Sequence, residues 1–339
     1  MGVDLSGLVA PRPVRLEDFS GKVVAIDAFN VLYQFLAIIR QPDGTPLMDR
    51  QGRPTSHLSG LIYRMSNFVA AGIHPAFVFD GEPPRRKART IEGRAEVKRR
   101  AEREWRAAVE IRDYPTAQTK AMQTSRLTDE LVAQSKRLLD LLGIPVVQAP
   151  SEGEAEASAM AARGEAYAVG SQDFDALLFG APLVAQNLTI SGRRKLPRKN
   201  VYVEVTPQLV ELDRTLAALE LSRAQLVDLA ILIGTDFNEG IRGVGPKKAL
   251  RLIREHGALP QALKALGTRI EGFEEVREIF LHPRVSGGAV LSWSAPDTDG
   301  VRAMLCDEFD FSRERIDGAL QKFSAARGQS AQRSLDAFP

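Results

Sequence analysis

"KVVAIDAFN", residues 22–30, decides how the rest of the chain is read. A β-branched, apolar run stops at one carboxylate, Asp27, which predicts a buried strand delivering an acid at its carboxyl end. The same grammar recurs along the chain. "PAFVFDGEPP" (75–84) ends its apolar run at Asp80 before a Gly-Pro turn, and "IPVVQAPSEGEAEA" (144–157) brings Glu152 and Glu154 just past a third strand. "AYAVGSQDFDALLFG" (166–180) brings Asp173 and Asp175 past a fourth. Helical patterns lie between, among them 56–70 and 126–142. Short buried strands alternating with helices predict an α/β fold, a mainly parallel twisted sheet with helices on both faces. Sites in such sheets form beyond the carboxyl ends of the strands, so the carboxylates should converge on one edge.

Within "APSEGEAEASAM" (149–160), Ser151 and Glu154 are spaced as a capping box, and the positive end of a helix dipole welcomes first-turn carboxylates. That explains one or two of the three glutamates. Two carboxylates 4 Å apart repel by about 4 kcal/mol at an effective dielectric near 20, so six or seven in one cleft require a cation. The four histidines, His57, His74, His256 and His282, fall outside the acidic motifs. Oxygen ligands alone favour Mg²⁺ or Mn²⁺ over zinc, and a pair of such ions is a standard device for phosphodiester hydrolysis.

Charge is segregated along the chain although the net charge is only +2. "RRKARTIEGRAEVKRRAEREWRAAVEIR" (85–112) carries basic residues about twice as often as acidic ones; "SGRRKLPRK" (191–199) and "GPKKALRLIR" (245–254) are further basic clusters. Basic surfaces around an acidic centre suit a polyanion. In "LVDLAILIGTDFNEGIRGVG" (226–245), Asp236 follows a run that fits either a strand or a buried helix. The glycine-rich turn after it opens a basic amphipathic helix, where backbone N–H groups can approach a phosphate or simply join two helices.

With 339 residues, 44% of them hydrophobic and 26% charged, the chain can bury an ample core. One cysteine, Cys306, excludes a disulfide framework and fits a reducing interior. No apolar run reaches the roughly 18–20 residues of a membrane span, so an intracellular, cytoplasmic protein with no membrane partner is expected. Met1-Gly2 with Ser6 fits a loose myristoylation pattern, read as coincidence because no basic cluster follows at once.

"VVAIDAFNVLYQFL", "FVFDGEPPRRK", "APSEGEAEAS", "SQDFDALLFG", "ILIGTDFNEGIRGVGPKKAL" and the terminal "QRSLDAFP", in this order, resemble the flap endonucleases, structure-specific 5′ nucleases of replication and repair, in their archaeal form. The resemblance runs from Met1 to the last residue. It implies a PIN-like nuclease domain over 1–325, with a helical cap in 85–135 and a helix–two-turn–helix element in 226–256, then a flexible tail over 326–339. It implies two Mg²⁺ or Mn²⁺ ions, one held by Asp27, Asp80, Glu152 and Glu154, the other by Asp173, Asp175 and Asp236. Lys87 and Arg94 match the family's basic pair at the scissile phosphate; Glu156 lies outside the ligand set and is expected on the helix surface. Tyr33 matches an aromatic on which a base stacks, Gly2 lies near the site in relatives, and Arg40 matches a DNA-contacting arginine. Gly243, Gly245, Lys247 and Lys248 would grip the downstream duplex, with a K⁺ ion, and Arg193, Arg194 and Lys195 would sit on a basic hairpin nearby.

Gln332, Leu335 and Phe338 recur at three-residue spacing and match the family's sliding-clamp motif. Phe237 and Pro339 depart from the family pattern, which has a tyrosine at the first position and often a second aromatic at the other. The implied activity is cleavage of 5′-flap DNA by a monomer at the nucleoid. Two alternatives stay open: another 5′ nuclease of the same superfamily, and a catalytically silent DNA scaffold with a structural Ca²⁺.

Overall fold

The structure is a computed structural model and describes residues 2–189, 192–195 and 202–336; side chains of 88, 89, 91, 94, 192–195, 202, 203 and 326–336 fall outside that description. After the short edge strand β1 (Arg12–Pro13), the sheet is built on β2 (Val23–Asp27) and β3 (His74–Phe79), paired in parallel with Asp27 opposite Val78. β4 (Val146–Gln148) lies beyond β3, while β5 (Ala168–Gly170) pairs with the other side of β2, followed outward by β6 (Leu183–Gln186). A separate hairpin of β7 (Gly192–Lys195) and β8 (Tyr202–Val205) precedes β9 (Gln208–Glu211), which runs antiparallel to β6 and to β1. The seven-stranded order is therefore β1-β9-β6-β5-β2-β3-β4. The chain steps from β2 to β3 to β4, then returns to the opposite side of β2. That reversal puts a crevice at the carboxyl ends of β2 and β5, where open parallel sheets bind ligands.

Alternation along the strands splits the core in two. Val24, Ile26, Phe77 and Phe79 face α1 (Ala28–Ile38), α2 (Ser56–Ala70), α5 (Asp129–Leu141), α13 (Thr298–Arg302) and the start of α14 (Arg313–Asp336). Ala25, Val78, Val169 and Val184 face α6 (Gly153–Ala162), α7 (Asp175–Leu178) and α8 (Leu212–Leu219), with α9 (Arg223–Ile233), α10 (Pro246–His256), α11 (Leu259–Ala265) and α12 (Phe273–Leu281) packed beyond them. Fully buried side chains such as Phe77 and Phe79 contribute about 1.5–3 kcal/mol each.

The run 226–233, ambiguous by periodicity, is the helix α9, buried along its length from Leu226 to Leu232. It reads as apolar on every side because it lies inside the helical layer rather than on its surface. Within 85–135, a 3-10 turn over Arg85–Lys87 leads into α3 (Ala88–Glu110) and α4 (Tyr114–Ala121). Among the described side chains of α3 and α4 only small ones, Ala101, Ala108, Ala117 and Ala121, are buried. α5 instead packs on α2 through Leu138 and Leu139. No helix among the described residues is long and apolar enough to cross a membrane.

Candidate active site

Each acid except Asp236, which follows α9, sits at or shortly past the end of a strand. Asp27 is both the last residue of β2 and the N-cap of α1, its Oδ1 accepting from the Asn30 amide at 3.1 Å. Asp80 follows β3, and its Oδ1 accepts from the Gly153 amide at 2.7 Å, which joins the β3 end to the start of α6. Glu152 caps α6 by position, and Glu154 turns inward, accepting from Ser171 Oγ at 2.6 Å. Asp175 opens α7 and accepts from the Val3 amide at 2.7 Å, and a methyl group at Gly2 would overlap its carboxylate. The amino-terminal segment is thus packed against the site, and Gly2 is a glycine because nothing larger fits. Asp173 accepts from Asn30 Nδ2 at 3.0 Å, while Thr90 Oγ1 on α3 donates to the Asp236 carbonyl at 2.8 Å.

The electrostatics are those of crowded anions out of water. Burial, and then the charges of Asp80 and Asp173, push the Asp27 carboxyl up to about 8. Burial pushes Asp175 up to about 7, with Asp236 and Asp173 adding to it. Glu154 is raised well above the usual range by burial and by Asp27 and Asp175, and Asp80 and Glu152 are raised by burial. Lys87, at the foot of α3, pairs with Glu152. Burial alone would lower its ammonium, but Glu152 and Asp80 outweigh that and raise it. Among the described residues no three acids close around one point as a finished metal cage; Asp27, Asp80, Glu152, Glu154, Asp173 and Asp175 are each turned to a local donor instead. The donor set still fits a divalent cation: all oxygen, mutually repelling, and attractive to the Lys87 ammonium.

Other candidate residues divide into those that face this edge and those that do not. Lys98 on α3 lies over the Tyr33 ring, Nζ 4.6 Å from its centroid. Arg40 is turned inward, donating to the Leu36 and Gly44 carbonyls at 2.8 and 2.7 Å and to Ser125 Oγ at 3.0 Å; burial lowers its guanidinium to about 10. Its charge therefore fastens the 41–46 loop, which packs against α3 and α4, a role that the sequence did not suggest. α9 and α10 flank the turns 234–245, where Gly243 takes the left-handed φ of +81° and Gly245 is the N-cap of α10. Lys247 and Lys248 are exposed on α10, which borders a groove of about 510 Å³ also lined by Arg251 and Arg254. Arg193, Arg194 and Lys195 lie on β7 and Arg94 on α3, with side chains outside the described residues. The side chains of Gln332 and Leu335 and the whole of Phe338 also lie outside them.

Glu156 corrects an expectation. It is fully buried rather than on the helix surface, accepting from the Ser286 amide at 2.6 Å, Ser286 Oγ at 2.7 Å and Arg163 Nη2 at 3.3 Å. The segment after α12 folds back over α6 and covers it. Sequence reading also missed Asn30, whose side chain bridges Asp173 and the Gln172 amide, and Ser171, which holds Glu154. Asn30 stands three residues after Asp27, the N3 position of a helix capped by Asp27, which was the available signal.

The chain matches the XPG N-terminal domain over residues 3–103 and the XPG I-region over 143–236. It is 51% identical to Flap endonuclease 1 of Methanothrix thermoacetophila, covering 97% of this chain and 98% of that one. It is 48% identical to Flap endonuclease 1 of Pyrococcus furiosus over 100% of this chain and 99% of the relative. The solved structure of flap endonuclease-1 from Methanococcus jannaschii superposes with a TM-score of 0.77 at 39% identity, covering 97% of this chain and 100% of that one. The catalytic core of Rad2 in complex with DNA substrate shares the fold, with a TM-score of 0.70 at 23% identity over 92% and 96% of the two chains. Acids gathered at a sheet switch point, a helix foot whose Lys87 pairs with one of them, and identity of about half across the full length lead to one conclusion: the chain belongs to the flap endonuclease family.

Proposed function

We propose that the chain is a structure-specific 5′ flap endonuclease, with 5′–3′ exonuclease activity, that hydrolyses one phosphodiester near the junction of flap and duplex in DNA replication and repair. The observation that carries this reading is the convergence of Asp27, Asp80, Glu152, Glu154, Asp173 and Asp175 on one sheet edge, beneath the helix foot that bears Lys87. Asp27, Asp80, Glu152 and Glu154 would hold one divalent ion such as Mg²⁺, and Asp173, Asp175 and Asp236 a second. Ions bound there would supply a water-derived nucleophile at neutral pH and neutralise the leaving oxygen.

The chain's own groups orient the rest. Lys87 exchanges its pairing with Glu152 for the scissile phosphate, joined by Arg94 one helical stretch along α3. Tyr33 offers its ring to the base beside the cut, and Asn30 and Ser171 hold Asp27, Asp173 and Glu154 in place. Water's oxygen joins phosphorus as the bond to the 3′ oxygen breaks, leaving 5′-phosphate and 3′-hydroxyl ends.

The turns 234–245 with Lys247 and Lys248 grip the downstream duplex, with a K⁺ ion at the turns, and the β7–β8 hairpin adds basic contact. Gln332, Leu335 and Phe338 dock a sliding clamp, and the enzyme acts as an intracellular monomer. Product mapping on flap, nick, bubble and hairpin DNA in Mg²⁺ tests the reading. Incision at the flap junction is expected. Binding without incision would mean a scaffold, and preference for bubbles would overturn flap specificity.

A further inference from the structure

Arg86 immediately precedes Lys87 in the 3-10 turn at the foot of α3, yet it points away from the carboxylates. Its Nε pairs with the Glu275 carboxylate in the first turn of α12, and its Nη1 donates to the Glu271 carbonyl at 3.2 Å. Between those partners lies Gly272, the N-cap of α12, in the left-handed region at φ +67°. A methyl group there would overlap the Arg86 guanidinium. The left-handed backbone favours a glycine there, and its missing side chain leaves the space that the Arg86 guanidinium fills.

The other side of α12 is tied to the duplex-gripping element. Arg277 Nε lies 2.7 Å from Asp228 Oδ1 on α9, and Asp228 Oδ2 accepts from the Leu259 amide, at the start of α11, at 3.0 Å. Asp228 is 1% exposed, so its half of this ion pair lies in the core, where the two atoms are close in distance without the alignment of a hydrogen bond. A contiguous polar path therefore runs from α11 and α9 through α12 to Arg86, and from there one peptide bond to Lys87.

We infer that Arg86 is a positioning residue: with Glu275 and the Glu271–Gly272 backbone it latches the cap foot to α12, so that duplex held by the α9–α10 element sets Lys87 for the reacting phosphate. This rests on the nuclease reading above. The latch is distinct from a DNA contact because Glu275, an anion, is half of it. Electrostatics alone makes Glu275→Gln neutral or favourable for binding a polyanion. The latch makes it harmful to the rate.

The test is single-turnover cleavage, at saturating enzyme, of 5′ flaps whose downstream duplex is either long enough to reach the α9–α10 element or cut back to a few base pairs. On the long substrate Arg86→Ala and Glu275→Gln should each slow cleavage roughly tenfold, the scale of a small misplacement of a catalytic group. On the short substrate both should match the wild type. The exchange Arg86→Glu with Glu275→Arg should recover rate on the long substrate, while the melting temperature of each variant reports folding separately. Equal losses on both substrates, no loss on the long one, or an exchange that fails to recover although it melts like the wild type, would each overturn the latch. Wild-type protein that does not cut flaps at all would instead sink the nuclease reading, so the two failures are distinguishable.

Discussion

Replacing Glu156 by Ala should be among the most costly single changes outside the apolar core. Its carboxylate is fully buried and accepts three hydrogen bonds, from the Ser286 amide at 2.6 Å, Ser286 Oγ at 2.7 Å and Arg163 Nη2 at 3.3 Å. A hydrogen bond to a charged acceptor contributes about 1.5–3 kcal/mol, and breaking a buried ion pair by removing one partner costs about 3–5 kcal/mol. Arg163 is not stranded by the change: its side chain is 30% exposed and keeps Glu165 at 2.6 Å. The main loss is then the half-buried Ser286 amide left without its acceptor, and the expected total is about 2–3 kcal/mol. Glu156→Gln keeps an acceptor oxygen and most of the volume, so about 1–2 kcal/mol is expected. Ser286→Ala removes the hydroxyl but not the amide donor and should cost about 1 kcal/mol, with the double mutant less than additive because the partners are shared. Urea unfolding followed by circular dichroism, with chelator present so that metal binding does not contribute, measures the four variants and the wild type. A Glu156→Ala midpoint within about 0.5 kcal/mol of the wild type would refute the reasoning, since surface glutamates behave that way.

Asp80→Ala and Asp175→Ala should abolish turnover while leaving flap-DNA affinity largely unchanged, because basic surfaces supply the affinity. Filter binding alongside cleavage checks this, and near wild-type cutting would contradict the metal assignment. Lys87→Ala and Arg94→Ala should lower the cleavage rate more than the affinity; parallel losses would point to a plain electrostatic face. His57 is held neutral, its pKa lowered by burial to about 4 while Gln134 sits 2.9 Å from Nε2. An unfolded histidine titrates near 6.5, so this group's stabilisation is present above that pH and is lost as pH falls toward 4, up to about 3 kcal/mol. His57→Gln should flatten that limb of the stability profile, and an unchanged slope would show the acid sensitivity to lie elsewhere. Deleting 330–339 should leave cleavage of naked DNA unchanged and remove stimulation by the cognate clamp, measured with and without clamp on the same flap.

The strand-then-carboxylate grammar was legible because it is local. Val23–Asp27 and His74–Phe79 are short apolar runs with an acid at or just past the end, and such strands are buried wherever they pair. The glycine-rich turn that opens α10 was legible too, because glycines followed by an amphipathic run need no distant partner, whereas Lys87 was singled out only by the family resemblance. The run 226–233 was not legible, since an element apolar on all sides carries no period to tell helix from strand. Strand order is likewise a tertiary fact: β5 returning to the free side of β2 is what brings Asp173 and Asp175 to Asp27. The polar partners of Glu156, Asp228 and Arg86 lie 130, 49 and 189 residues away. Sequence shows that a charge exists; only packing decides whether water or another side chain answers it. Glu156 therefore read as a solvated helix residue until the segment around Ser286 closed over it, and nothing in the sequence showed that Leu36, Gly44 and Ser125 hold the Arg40 guanidinium.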